Sequence, residues 1–185
     1  MGKKLANNSF VWTPPSASLG SRTPSIRSAG SSRGVDIHHA ANRRVLFESD
    51  KERKVFVVTL ARQDVADVHD QPAPVDYIDK DGVARQHTFD FLVTKIDGEK
   101  VAVAVKSEEK EEKLRETLEL IAQQIPTTFA DSVTVMTELD VPWWLDANSI
   151  LMLSVNCESA LEFKFTQLML ARSDVAAPAT SGDQS

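Results

Sequence analysis

The sequence predicts an α/β domain with a mixed central sheet flanked by helices. Three stretches predict it. Thr88 to Lys106 holds two apolar runs around Asp97-Gly98, a dipeptide favoured in type I′ hairpin turns, whose two central residues need φ > 0. Leu114, Leu118, Ile121 and Ile125 recur at helical spacing, and a strand-like run from Ser132 to Thr137 follows. That order predicts a crossover returning the chain parallel to the 99–106 strand. Finally, Ser49-Asp50-Lys51-Glu52 reads as a capping box, with Ser at the N-cap and Glu three residues on.

Composition divides the 185 residues into three parts. Residues 1–42 are expected to be a disordered basic arm, because Ser, Pro, Gly and Arg cannot bury enough apolar area to offset the entropy of ordering. Its bases are Lys3, Lys4, Arg22, Arg27 and Arg33, followed by Arg43 and Arg44, with Asp36 its only acid. Two readings stand level: phosphate contact through counterion release, or a solvated linker. Phe10-Val11-Trp12 is a candidate docking segment, and His38-His39 are expected at the surface, since neighbours do not easily face one metal. Residues 43–172 form the folded domain, and 173–185 a disordered tail.

A hydrophobic share of 42% is enough for a core. The net charge of −6 argues against a protein that coats nucleic acid through bulk charge, without excluding a local basic surface. A single cysteine, Cys157, excludes an internal disulfide framework and a cysteine-based zinc site. No apolar run reaches the roughly 18 residues of a membrane span, no signal peptide is apparent, and a cytoplasmic protein is expected.

The elements follow in order. A helix is expected over 49–62, although the β-branched run Val55 to Thr59 weakens it. Ala66-Asp67-Val68 reads as a short strand, Gln71-Pro72-Ala73-Pro74 as punctuation, and Val75 to Asp79 as a strand. Asp81-Gly82 turns into an extended run to Val93, which with 99–106 makes an antiparallel meander. Ser107 caps the next helix, which Pro126 ends. Pro142-Trp143-Trp144-Leu145 reads first as core and second as a partner surface, Asn148 to Val155 as helical, and Glu158 to Arg172 as a last helix.

Strand alternation puts Asp90 with Leu92, opposite Phe89, Phe91 and Val93. It puts Val101, Val103 and Val105 on one face and Ala102, Ala104 and Lys106 on the other. Asp90 and Lys106 therefore lie at the ends of neighbouring apolar strands. A salt bridge at the sheet end is one reading. The other is a nuclease site, with a metal-holding carboxylate and a lysine beside the phosphodiester.

Asp, a hairpin, then a strand ending in Val103-Ala104-Val105-Lys106 resembles the PD-(D/E)xK nuclease core. Phe47 to Glu52, Gln71-Pro72, Tyr77 to Gly82, Thr88 to Phe91 and Val135 to Glu138 sharpen this to the TnsA-like transposase endonuclease subunit, N-terminal nuclease domain. The resemblance covers about residues 43 to 155. It implies a restriction-endonuclease-like fold and metal-dependent DNA cleavage in transposition, with DNA and a transposase subunit as partners. It implies Asp90 as central metal ligand, Glu52 as second carboxylate, the Val105 backbone carbonyl as a further ligand and Lys106 at the phosphate. Oxygen ligands suit Mg²⁺ or Mn²⁺.

One position departs from the family. Ala104 stands where it has Glu or Gln, and a methyl group cannot ligate. Glu99 faces the wrong way to replace it, leaving Glu48 and Glu108 as nearer candidates. A catalytically idle subunit that binds DNA or a transposase partner is therefore the alternative function. An α/β adaptor without a nucleic-acid role is the third.

Overall fold

Alternating apolar residues build a four-stranded central sheet, and helices before, within and after its strands cover both faces. The structure, a computed structural model, describes residues 13–22 and 32–154. The central strands are β3 (Val65–Asp70), β6 (Phe91–Lys95), β7 (Lys100–Val105) and β8 (Ser132–Met136), adjacent in that order. β6 runs antiparallel to both of its neighbours, β3 and β7, and β8 joins β7 in parallel. The parallel step follows α2 (Glu108–Ala122), as the helical spacing and following β-branched run predict.

Helix α1 (Asp50–Leu60) starts at Ser49, whose side chain accepts the Glu52 N–H. Val55 to Thr59 are all buried, because α1 lies between the sheet and α3 (Trp143–Ser154). The β-branched run is thus tolerated through packing. Phe56, Phe91, Val93, Val103 and Val105 form the core on this face, and Phe89, Ala102, Ala104, Leu118 and Ile121 form the core on the α2 face. The alternation read for β7 holds. For β6 it fails at one residue: Phe89 joins Leu92 on the α2 face, because regular pairing starts only at Phe91.

Four further expectations are corrected. The Val83 to Val93 run is broken, so β4 (Val75–Ile78) and β5 (Ala84–His87) make a separate two-stranded hairpin outside the central meander. The Asp97-Gly98 turn is not type I′. Lys95 and Glu99 close a three-residue loop in which only Gly98 has positive φ, 91°, while Asp97 Oδ1 accepts the Glu99 N–H at 3.0 Å. Trp143 is 78% exposed rather than core. It stands in the first turn of α3, whose buried side is held by Asp146 and Ser149.

The fourth correction concerns the arm. Within 1–42, the described residues 13–22 and 32–42 are bound to the domain. Gly34–His38 forms β1, paired antiparallel with β2 (Arg43–Phe47). Gly34 sits against the Phe47 ring, a place with no room for a Cβ. His38 is buried, its Nε2 3.1 Å from Asp67 Oδ1, and burial pulls its pKa down. Arg43 is buried too, donating to Asp67 Oδ1 at 2.8 Å and to the Val68 carbonyl at 2.9 Å, so it is committed inside the fold rather than offered to phosphate. Phe10-Val11-Trp12, the helix expected over Glu158 to Arg172 and the tail 173–185 lie outside the described residues.

Candidate active site at the end of the central sheet

Asp90 immediately precedes β6 and is 9% exposed. Its N–H donates to the Val103 carbonyl at 3.0 Å, and its Oδ2 accepts the Val105 N–H at 2.6 Å. The carboxylate thus continues the β6–β7 ladder where β6 has no backbone acceptor to offer. Oδ1 has no protein donor among the described residues. Burial pushes the Asp90 pKa up, opposed by the Lys106 ammonium, the Val105 N–H and the Arg22 guanidinium, while Glu48 adds to the rise.

Glu52, in the first turn of α1, is 8% exposed. Its Oε2 accepts the Glu48 N–H at 2.7 Å, and its Oε1 accepts the Ser49 hydroxyl at 2.8 Å. The reciprocal bond of a capping box goes to Glu48 N–H, one residue earlier than the Ser49 amide expected. Burial raises the Glu52 pKa; the Glu48 N–H opposes this, and the Asp90 carboxylate raises it further.

The structure therefore brings Asp90 within electrostatic reach of both Glu52 and Lys106. Lys106 follows β7, and its N–H donates to the Met136 carbonyl at 3.0 Å. It forms no ion pair with Asp90 at contact distance; the two interact through space. His87, at the end of β5, also feels Lys106, and its pKa is lowered by burial first and by that ammonium second.

Ala104 is 1% exposed and belongs to the α2-side apolar cluster with Phe89 and Leu118. Glu48 is the acid that joins the site, through its influence on both Asp90 and Glu52. Two residues named in the sequence, Gln71 in a Gln-Pro piece and Arg22 among the bases of the arm, are not assigned to this site there. Gln71 is buried with φ of 42°, and its N–H donates to the Asp90 carbonyl at 2.8 Å. Arg22 reaches the site from the N-terminal segment; nothing in its Ser- and Pro-rich surroundings singles it out.

All donors the site offers a cation are oxygens, which suits a hard ion, but the shell is sparse. Among the described residues no group of three or more His, Cys, Asp or Glu side chains is arranged to hold a metal ion. A cavity of about 1120 Å³ lies elsewhere, lined by Val93, Val101 and Met136 among others and by none of Glu52, Asp90 or Lys106. No described helix is long and apolar enough to cross a membrane. No family model matches the chain, and no curated protein matches it.

Proposed function

We propose that this chain is a metal-dependent DNA endonuclease subunit with a restriction-endonuclease-like core, acting on a phosphodiester at a transposon end beside a transposase partner. The order helix, three antiparallel strands, helix, parallel strand supports the fold assignment. The observation that carries the function is the pair of buried carboxylates, Asp90 and Glu52, at the sheet end, with the Asp90 charge adding to the cost of ionising Glu52. Two such groups oppose stability at neutral pH unless a cation joins them.

Asp90 and Glu52, with the Val105 carbonyl, would hold Mg²⁺ or Mn²⁺. Such an ion supplies Lewis-acid stabilisation of charge at a phosphate. The protein's own part is positional. The Val105 N–H fixes one Asp90 oxygen and leaves the other available. The Ser49 hydroxyl and Glu48 N–H fix Glu52. Lys106 contributes a positive field where a phosphate would gather negative charge.

The second reading, an idle subunit that binds DNA or a transposase, is favoured by one observation. Both Glu52 oxygens already accept local hydrogen bonds, and Ala104 offers no replacement ligand. Nicking of supercoiled plasmid with Mg²⁺ or Mn²⁺, with and without a partner transposase, separates the two. The enzyme nicks and Asp90→Asn does not; an idle subunit binds the plasmid and leaves it intact.

A further inference from the structure

Residues 16–22 form a strap fastened beside the candidate site. Ser16 bridges to Arg43, with Ser16 N–H donating to the Asn42 carbonyl at 2.9 Å. Ser18 Oγ donates to Asp70 Oδ2 at 2.5 Å, and that same oxygen accepts the Leu46 N–H at 2.9 Å. His69 Nε2 meets the Leu19 carbonyl at 3.0 Å. Ser21 N–H then donates to the Gln71 carbonyl at 2.8 Å, and its hydroxyl donates to the Pro72 carbonyl at 3.1 Å. Since Gln71 N–H donates to the Asp90 carbonyl, an unbroken backbone chain runs from Ser21 through Gln71 to Asp90.

Arg22 is the next residue along. Its Nη2 donates to Glu48 Oε2 at 3.2 Å, and its charge lowers the Asp90 pKa. The side chain is 52% exposed, against 28% for Glu48. Three carboxylates, Glu48, Glu52 and Asp90, therefore share one region, and Lys106 and Arg22 are the cations that act on Asp90 there. An incoming phosphodiester adds negative charge to that region and needs donors. A guanidinium offers five N–H groups in a planar fork suited to phosphate, and Glu48 engages only part of it.

We propose that Arg22 is a substrate-positioning residue that exchanges its Glu48 contact for a phosphate of the DNA backbone, with the strap holding it at the sheet end. This rests on the phosphodiester reading above. It gives one base of the N-terminal segment a defined place, where the composition of that segment left phosphate contact and linker level.

The experiment measures binding of short duplex DNA by fluorescence anisotropy across a salt series, with Ca²⁺ replacing Mg²⁺ to prevent cleavage. Full-length wild type, Arg22→Ala, Arg22→Lys and Glu48→Gln are compared, with circular dichroism and melting curves as checks of folding. Arg22→Ala is expected to bind several-fold more weakly, with a salt slope smaller by about one phosphate contact. Arg22→Lys is expected to recover the slope but only part of the affinity, and Glu48→Gln to bind more tightly. Unchanged affinity and slope in Arg22→Ala would overturn the proposal. So would tighter binding in that variant, which would make the strap a block, or no DNA binding by wild type. DNA binding with the expected Arg22 dependence, but no nicking with Mg²⁺, would remove the nuclease reading and leave the Arg22 contact standing.

Discussion

The Asp90 carboxylate holds the Val105 N–H at 2.6 Å, so the acid of the candidate site is also the last rung joining β6 to β7. Oδ2 serves the fold, and Oδ1 takes no donor among the described residues. Substitutions at Asp90 therefore separate by whether they keep an acceptor.

Asp90→Asn is expected to preserve the rung through its amide oxygen and to melt at or above the wild-type temperature at neutral pH. Asp90→Ala strands a buried N–H and is expected to cost about 1–3 kcal/mol. Urea denaturation of the two variants checks the order. Both are expected to lose metal-dependent cleavage.

The pH dependence follows from the raised pKa values of Asp90 and Glu52, both due first to burial. With a folded pKa above the unfolded one, the native state binds more protons across the interval between them. Each group's contribution to stability therefore falls as pH rises from the ordinary carboxylate range, about 4, through its raised folded value. Ion-paired surface acids such as Asp50 and Asp64 have lowered pKa values and act in the opposite sense at lower pH. The difference between wild-type and Asp90→Asn melting curves reads the Asp90 part together with the rise it causes in Glu52. Relative to wild type, the variant is expected to gain stability as pH rises through that window.

Ala104→Glu is expected to destabilise the protein by at least about 3 kcal/mol, because it forces a long carboxylate into a filled apolar cluster. A carboxylate introduced at position 104 is therefore not expected to act as a ligand. Denaturation together with Mn²⁺ affinity checks this; a stable variant with tighter Mn²⁺ binding would show that position 104 can open toward Asp90.

Much of the fold was legible because each signal was local. Ser49 and Glu52 marked the start of α1, and Val101 to Val105 showed their two faces by parity. The parallel return of β8 followed from a helix between two strands. Three things needed three-dimensional context. Phe89 changes face because pairing begins after Asp90, which no alternation rule shows. The Asp81-Gly82 turn joins β4 to β5 as read, with Asp79 Oδ1 accepting the Asp81 and Val83 N–H groups, but the break between His87 and Phe91 that separates this hairpin from the central sheet has no local signal. The strap is held by single hydroxyls and backbone groups, and Ser- and Pro-rich composition looks the same in a strap and a linker.

Ser18→Ala tests the strap. Asp70 is fully buried, and among the described residues Ser18 provides one of the two donors to its Oδ2. Removing that hydroxyl is expected to cost about 1–3 kcal/mol and to speed hydrogen exchange at the Ser21 amide. Unchanged exchange at Ser21 would show that the backbone bonds alone hold the segment.

Calorimetric titration with Mn²⁺ at neutral pH tests the central claim most directly, because it needs neither DNA nor a partner. Wild type is expected to bind a divalent ion at a single site, and Asp90→Asn and Glu52→Gln are each expected to lose it while remaining folded. No binding by wild type, or equal binding by all three proteins, would contradict a metal site at Asp90 and Glu52.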